Sequence, residues 1–135
     1  PYRVIGALMK VGDRSKMCVT HDSGNPRDQV VPFFDALTPY GYLGWGKSTP
    51  LGSGLGLAMG AKLAKPDWTC VNFMGDSSFG MVGMDVETGV RESIPVLTIV
   101  FNNGRMGGYT RHHPVATKTH GINLQTGRYA DVALA

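Results

Sequence analysis

With 135 residues, 42% of them hydrophobic and 17% charged, the chain has apolar material for one domain core and not for two. The net charge of +3 comes from scattered Lys and Arg, which excludes the basic stripe of a nucleic-acid binder. No apolar stretch is long enough to span a bilayer and no secretory pattern is present, so the expectation is a cytoplasmic protein without a membrane or nucleic-acid partner.

In chain order, Val4, Leu8 and Val11 fall at helical spacing and predict an amphipathic helix over 2–11, with Pro1 before it. Lys16 to Thr20 reads as a short strand ending in the polar turn His21-Asp22-Ser23-Gly24-Asn25-Pro26, where Asp22 or Ser23 is placed to cap the next helix. A short helix is expected over 30–37 and an aromatic, Gly-rich loop over 41–46. Gly52, Gly56, Gly60 and Ala64 would form one smooth helical stripe, open to close approach by another backbone. The stretch does not fit the dinucleotide pattern G-x-G-x-x-G, because Leu57 stands where the third glycine should be. Trp68–Met74 and Val96–Phe101 are short, continuous and β-branched, as buried parallel strands are. A helix is expected over 81–93, with Glu87 and Arg91 as an i,i+4 surface pair. A polar, flexible loop is expected over 104–114, and a further helix begins at Tyr129. The two cysteines, Cys18 and Cys70, sit in predicted strands without metal or redox spacing, so two buried free thiols are expected. Both ends read as interrupted, which suggests a segment of a longer polypeptide.

The chemistry concentrates after the two buried strands. Asp76 follows the first and Asn103 the second, and ligands of open α/β sheets bind at that end. Both side chains carry hard oxygen donors suited to Mg²⁺. Beside Asp76, the hydroxyls of Ser77 and Ser78 and the nearby backbone N–H groups suit a phosphate. Plainer readings stand beside these. Asp76 can be a helix N-cap, the asparagines a turn, and Leu51 simple core. His112 and His113 can be a solvated pair or acid/base groups facing substrate. His21 can be structural or functional, and Arg105 and Arg111 can be solvated or steer an anionic substrate.

Gly75-Asp76-Ser77-Ser78, 26 intervening residues between Asp76 and Asn103, and the Asn102-Asn103 pair resemble the thiamine diphosphate motif. Three more stretches agree in order and spacing. His21–Asn25 looks like the earlier diphosphate loop of acetolactate-synthase-like enzymes, Leu51–Ala61 like their Gly-rich cofactor helix, and Asn102–Gly107 like their metal loop. Nearly the whole chain (1–135 as one domain) thus resembles the C-terminal diphosphate-binding domain of the acetolactate synthase, benzoylformate decarboxylase and pyruvate decarboxylase superfamily. The resemblance implies an α/β, three-layer, Rossmann-like fold with a mostly parallel sheet, incomplete at its C-terminus.

It also implies residue roles. Asp76, Asn103 and the main-chain carbonyl of Arg105 would bind Mg²⁺. Ser23, Gly24, Asn25, Gly75, Asp76, Ser77 and Ser78 would meet the diphosphate, with Met106 and Gly107 closing the cofactor loop. Leu51 would wedge the thiamine into a bent shape, and the Thr49 main chain would accept its amino group. Two departures stand out: Ser77 replaces a common glycine, which requires a negative φ there, and Pro26 replaces a histidine. The activating Glu of such enzymes comes from a pyrimidine-binding domain, and Glu87 and Glu92 do not suit that role. The resemblance therefore implies a partner domain in the same or another chain, a homodimer or homotetramer, and a 2-oxo acid or related carbonyl substrate for lyase or transferase chemistry. Alternatives are the β-type subunit of a split 2-oxo acid decarboxylase or oxidoreductase, and a non-catalytic Rossmann-like nucleotide-binding module.

Overall fold

The computed structural model describes residues 1–46 and 50–134. Helix α1 (Tyr2–Val11) leads through a 3-10 turn into strand β1 (Met17–His21), then helix α2 (Asn25–Val30) and the short strand β2 (Tyr42–Leu43). Helix α3 (Ser53–Ala64) leads to β3 (Thr69–Gly75), α4 (Asp76–Val82), α5 (Asp85–Arg91) and β4 (Leu97–Phe101). Three short helices complete the order: α6 (Tyr109–His112), α7 (Pro114–His120) and α8 (Tyr129–Leu134).

The four strands form one parallel sheet in the order β2-β1-β3-β4. The chain leaves β1 toward β2 on one side, then crosses back to β3 on the other. The carboxyl ends of β1 and β3 therefore flank a point where the connections diverge, which is where ligands of open α/β sheets bind.

Strand periodicity divides the core into two layers. Met17, Val19, Val71 and Phe73 point to one face and pack on Ile5, Leu8 and Val30. Cys18 and Cys70 point to the other face and pack on Ala61, while Met74 packs with Leu55 and Phe79. Helices on both faces make three layers, the α/β architecture expected. Every residue of β1 and the five central residues of β3 are buried, which explains why both read as unbroken apolar runs. Each large side chain so buried contributes about 1.5–3 kcal/mol. The cysteines are free, buried and in register across β1 and β3.

Several local expectations shift. The helix expected over 30–37 lies earlier, because Pro26 starts α2 and Pro32 cannot donate a continuing hydrogen bond. The 41–46 loop contains β2. The helix expected from Met81 begins at Asp76 and is interrupted at Gly83–Met84. The 104–114 stretch contains α6 and the start of α7. The smooth stripe is not the packing face of α3: Gly54, Leu55, Ala58 and Ala61 are buried, whereas Gly56 and Gly60 are exposed with open space around them. Among the described residues, no helix is long and apolar enough to cross a membrane.

Candidate functional site

The site builds on two adjacent strand ends. β3 runs without a loop into α4, so Asp76 sits in the first turn, where the helix dipole favours a carboxylate. Asp76 is 2% exposed and takes part in no ion pair among the described residues. Its Oδ1 accepts the Ser77 N–H at 3.0 Å. Its Oδ2 accepts the N–H groups of Gly104 at 2.7 Å and Arg105 at 3.2 Å. Asp76 is thus more than a cap: it ties the end of β3 to the loop after β4.

Asn102 and Asn103 shape that loop. Asn102 Oδ1 accepts the Gly104 N–H and Asn103 Oδ1 accepts the Arg105 N–H, both as turns onto the backbone two residues on. Gly104 takes φ +69°, a conformation L side chains rarely adopt. The loop is braced from outside: the Met106 N–H donates to the Asn123 carbonyl and the Gln125 N–H to the Gly104 carbonyl. Gly107 is exposed beyond it. Tyr129 packs edge-on against Phe79, and desolvation, then the Asp76 charge, pushes its hydroxyl pKa upward.

The residues expected to meet phosphate include the first turn of α4. Ser77 and Ser78 are buried, and Ser77 lies in a right-handed helix, so its φ is negative as the Gly-to-Ser departure requires. The Ser77 hydroxyl is buried without a hydrogen-bond partner among the described residues, which leaves its donor available there. Gly24, at φ +78°, turns the chain into α2, and Asn25 stands exposed at its start with Pro26 buried behind. Leu51 lies half-buried in the turn before α3. Thr49 lies outside the described residues.

Asp22 does not cap α2, contrary to the expectation from its position before that helix. Its carboxylate instead accepts the N–H groups of Gly52 and Gly54 at the start of α3, the Ser78 hydroxyl and the Ser23 N–H. Its distant partners lie 30, 32 and 56 residues away, so no local pattern signalled them. α3 sits so close to the sheet that a Cβ on Gly54 would lie 2.5 Å from Asn72 Oδ1 and 2.9 Å from the His21 carbonyl oxygen. His21 is 1% exposed, hydrogen-bonded through Nδ1 to the Asp22 carbonyl and stacked on Tyr42.

Other candidates stay apart. His112 and His113 are exposed; His113 lies edge-on to Tyr109, and no hydrogen bond or ion pair among the described residues joins either to Asp76 or Asn103. Glu87 and Glu92 pair with Arg91 on the surface, as the first of them was expected to. A cavity of about 1030 Å³ opens beside β4, lined by residues such as Met59, Val86, Val100 and Tyr129. It is largely apolar and borders the carboxylate site through Asn102 and Tyr129.

The site thus offers, among the described residues, a buried carboxylate outside any ion pair, an amide oxygen beside it and a buried hydroxyl with no hydrogen-bond partner. A divalent cation and a diphosphate match that set in charge and donor type. The family model of the "Thiamine pyrophosphate enzyme, C-terminal TPP binding domain" matches residues 22–134. The chain is 46% identical over 115 residues to 2-hydroxyacyl-CoA lyase of Oryza sativa, covering 84% of this chain and 20% of that protein. It is 35% identical over 115 residues to the acetolactate synthase large subunit of Mycobacterium tuberculosis, covering 85% of this chain and 20% of that protein. Among solved structures, Rhodococcus jostii thiamine diphosphate-dependent 4-hydroxybenzoylformate decarboxylase superposes with a TM-score of 0.81 at 23% identity, over 99% of this chain and 25% of that one. The chain thus spans about a fifth of the length of these curated relatives.

Proposed function

Because this chain belongs to the thiamine pyrophosphate enzymes, as their C-terminal TPP-binding domain, we propose that it grips thiamine diphosphate by its diphosphate end through Mg²⁺, within an enzyme that decarboxylates or ligates 2-oxo acids or related carbonyl compounds. The observation that carries the reading is the buried Asp76 carboxylate, in no ion pair among the described residues and hydrogen-bonded to the loop that presents Asn103.

Asp76 and Asn103 would hold the metal with side-chain oxygens, and Arg105 with its carbonyl. Neutralising Asp76 in this way removes the cost of a buried lone charge. Ser77, whose hydroxyl has no partner among the described residues, would donate to a phosphate oxygen, as would Ser78 and the backbone near Ser23, Gly24, Asn25 and Gly75. Leu51 would support the thiamine ring system from below, while Met106 and Gly107 close the far side. When bound, thiamine diphosphate supplies a carbanion that adds to a carbonyl and then accepts the electrons of the broken bond. Within this chain, residues bind, orient and exclude water; His112 and His113 are candidates to exchange protons with substrate.

The activating Glu would come from a pyrimidine-binding domain, in the same or another polypeptide, with a cytoplasmic homodimer or homotetramer as the working assembly. Support comes from the relatives, which include an acetolactate synthase and a 2-hydroxyacyl-CoA lyase. The test is calorimetric titration of the protein with thiamine diphosphate and with NAD, with and without Mg²⁺. Binding of thiamine diphosphate that needs Mg²⁺ supports the reading. Binding indifferent to Mg²⁺, or preference for NAD, sinks it.

A further inference from the structure

Asp22 is fully buried, and no ion pair among the described residues includes it. A carboxylate in that setting is costly unless dipoles surround it. Here they do. One oxygen, Oδ1, accepts the Ser23 N–H at 2.8 Å, the Ser78 hydroxyl at 2.9 Å and the Gly52 N–H at 2.9 Å. The other, Oδ2, accepts the Gly52 N–H at 3.0 Å and the Gly54 N–H at 3.1 Å. The residue itself is pinned to the sheet, because its own N–H donates to the Phe73 carbonyl at 2.7 Å.

One side chain therefore joins three segments that are distant in sequence: the turn after β1, the start of α3 and the first turn of α4. The segments it joins carry the two ends of the candidate site. Gly52 directly succeeds Leu51, placed under the thiamine ring system. Ser78 adjoins Ser77, placed against the diphosphate. We propose that Asp22 is a positioning residue that sets the spacing between the Leu51 turn and the Ser77–Ser78 turn, and so the bend in which the cofactor is held. The proposal rests on the reading that thiamine diphosphate occupies the site. Asp22 touches neither the cofactor nor the metal in this role.

The geometry dictates an asymmetric failure. An Asn at this position keeps one acceptor oxygen, which can still serve Ser23, Ser78 and Gly52. Its amide nitrogen then faces the Gly54 N–H, donor against donor, so the α3 side loses one of its two anchors while the α4 side stays held. A ligand that spans both sides suffers, and one that uses only the phosphate side does not. A merely structural role for Asp22 would weaken both alike.

The experiment uses the complete protein and two probes, thiamine diphosphate and inorganic pyrophosphate, each with saturating Mg²⁺. Thermal unfolding checks that each variant is folded. Asp22→Asn is expected to bind thiamine diphosphate about 10- to 100-fold more weakly, the usual cost of losing a group that orients a ligand's direct partners. Its pyrophosphate affinity is expected to stay near the wild-type value. Asp22→Glu, which keeps both oxygens on a longer arm, is the second variant and is expected to show the same split. Equal losses for both probes, unchanged thiamine diphosphate binding, or failure of both variants to fold overturns the positioning role alone. Wild-type protein that binds neither probe defeats the cofactor reading first, and this inference with it.

Discussion

Asp76 Oδ2 and Asn103 Oδ1 accept the same backbone N–H, that of Arg105, at 3.2 and 3.0 Å. Two oxygen donors from the ends of neighbouring strands thus converge on one point of the β4 loop. A cation bound there would draw on both. Asp76→Ala is expected to weaken Mg²⁺-dependent binding of thiamine diphosphate by more than the ~10- to 100-fold typical of an outer-shell loss. Asn103→Ala is expected to cost less, since one neutral ligand goes rather than a charge. Calorimetry at varied Mg²⁺ measures both, and equal affinities with and without Mg²⁺ in the wild type would remove the metal from this site.

Ser77→Ala separates binding from folding. Its hydroxyl is buried and without a partner among the described residues, so removing it is expected to leave stability unchanged or slightly raised. Phosphate affinity should fall by about 1.5–3 kcal/mol, the worth of a hydrogen bond to a charged group. Thermal unfolding and pyrophosphate titration read the two effects independently. A variant that loses stability but not affinity would contradict the assignment.

Glycines of α3 and its preceding turn should respond with opposite signs. Gly52 has φ +94°, and a Cβ there would lie 2.5 Å from a Val82 methyl. Gly52→Ala is expected to destabilise by about 1–3 kcal/mol, from left-handed strain and overpacking. Gly56 is exposed with open space around it, so Gly56→Ala is expected to stabilise by about 0.5–1 kcal/mol through helix propensity. Urea unfolding of the two variants checks the contrast.

Cys18 makes stability fall in alkali. Desolvation, then the neighbouring Cys70, raises its thiol pKa from 9.0 to about 11. A pKa raised on folding means the native state holds its proton more tightly than the unfolded chain. The contribution is therefore complete below pH 9 and is lost as pH rises toward 11, with a size of up to about 2–3 kcal/mol. Burial pushes Tyr42 up to about 12, which steepens the decline at its upper end. Urea unfolding at pH 8, 9.5 and 11 should show the fall, and Cys18→Ala should flatten its lower part. The same protonation predicts slow alkylation of both cysteines in the native protein and rapid alkylation once it is unfolded.

The legible parts of the chain are those whose determinants are local or periodic. β1 and β3 are visible because burial on both faces leaves an unbroken apolar run; β4 shows the same β-branched run but is only partly buried, with Leu97 exposed, because it is the outer strand of the sheet. α1 and the helix at Tyr129 are visible from spacing, and α3 from its small residues, although its packing face differs from the one their stripe predicts. Periodicity shows that faces differ, not which one the sheet takes; the crowding of Gly54 against Asn72 and His21 is a contact between distant segments. α6 and α7 escape sequence reasoning because they are short, 4 and 7 residues, and carry no apolar stripe. α2 is displaced because the two prolines that bound it outweigh the apolar run beyond it.

What the sequence determined by itself was the family and the candidates for its site: Asp76 and Asn103 at strand ends, hydroxyls beside them, and a motif spacing that names the family. These depend only on residue type and separation along the chain. Tertiary structure alone decided how the pieces are joined. Asp76 meets residues 28 and 29 positions away, and Asp22 gathers groups 30, 32 and 56 positions away. A carboxylate becomes such a hub only when the sheet order places β1 beside β3 and folding strips water from it, so that scattered backbone and hydroxyl donors replace its hydration.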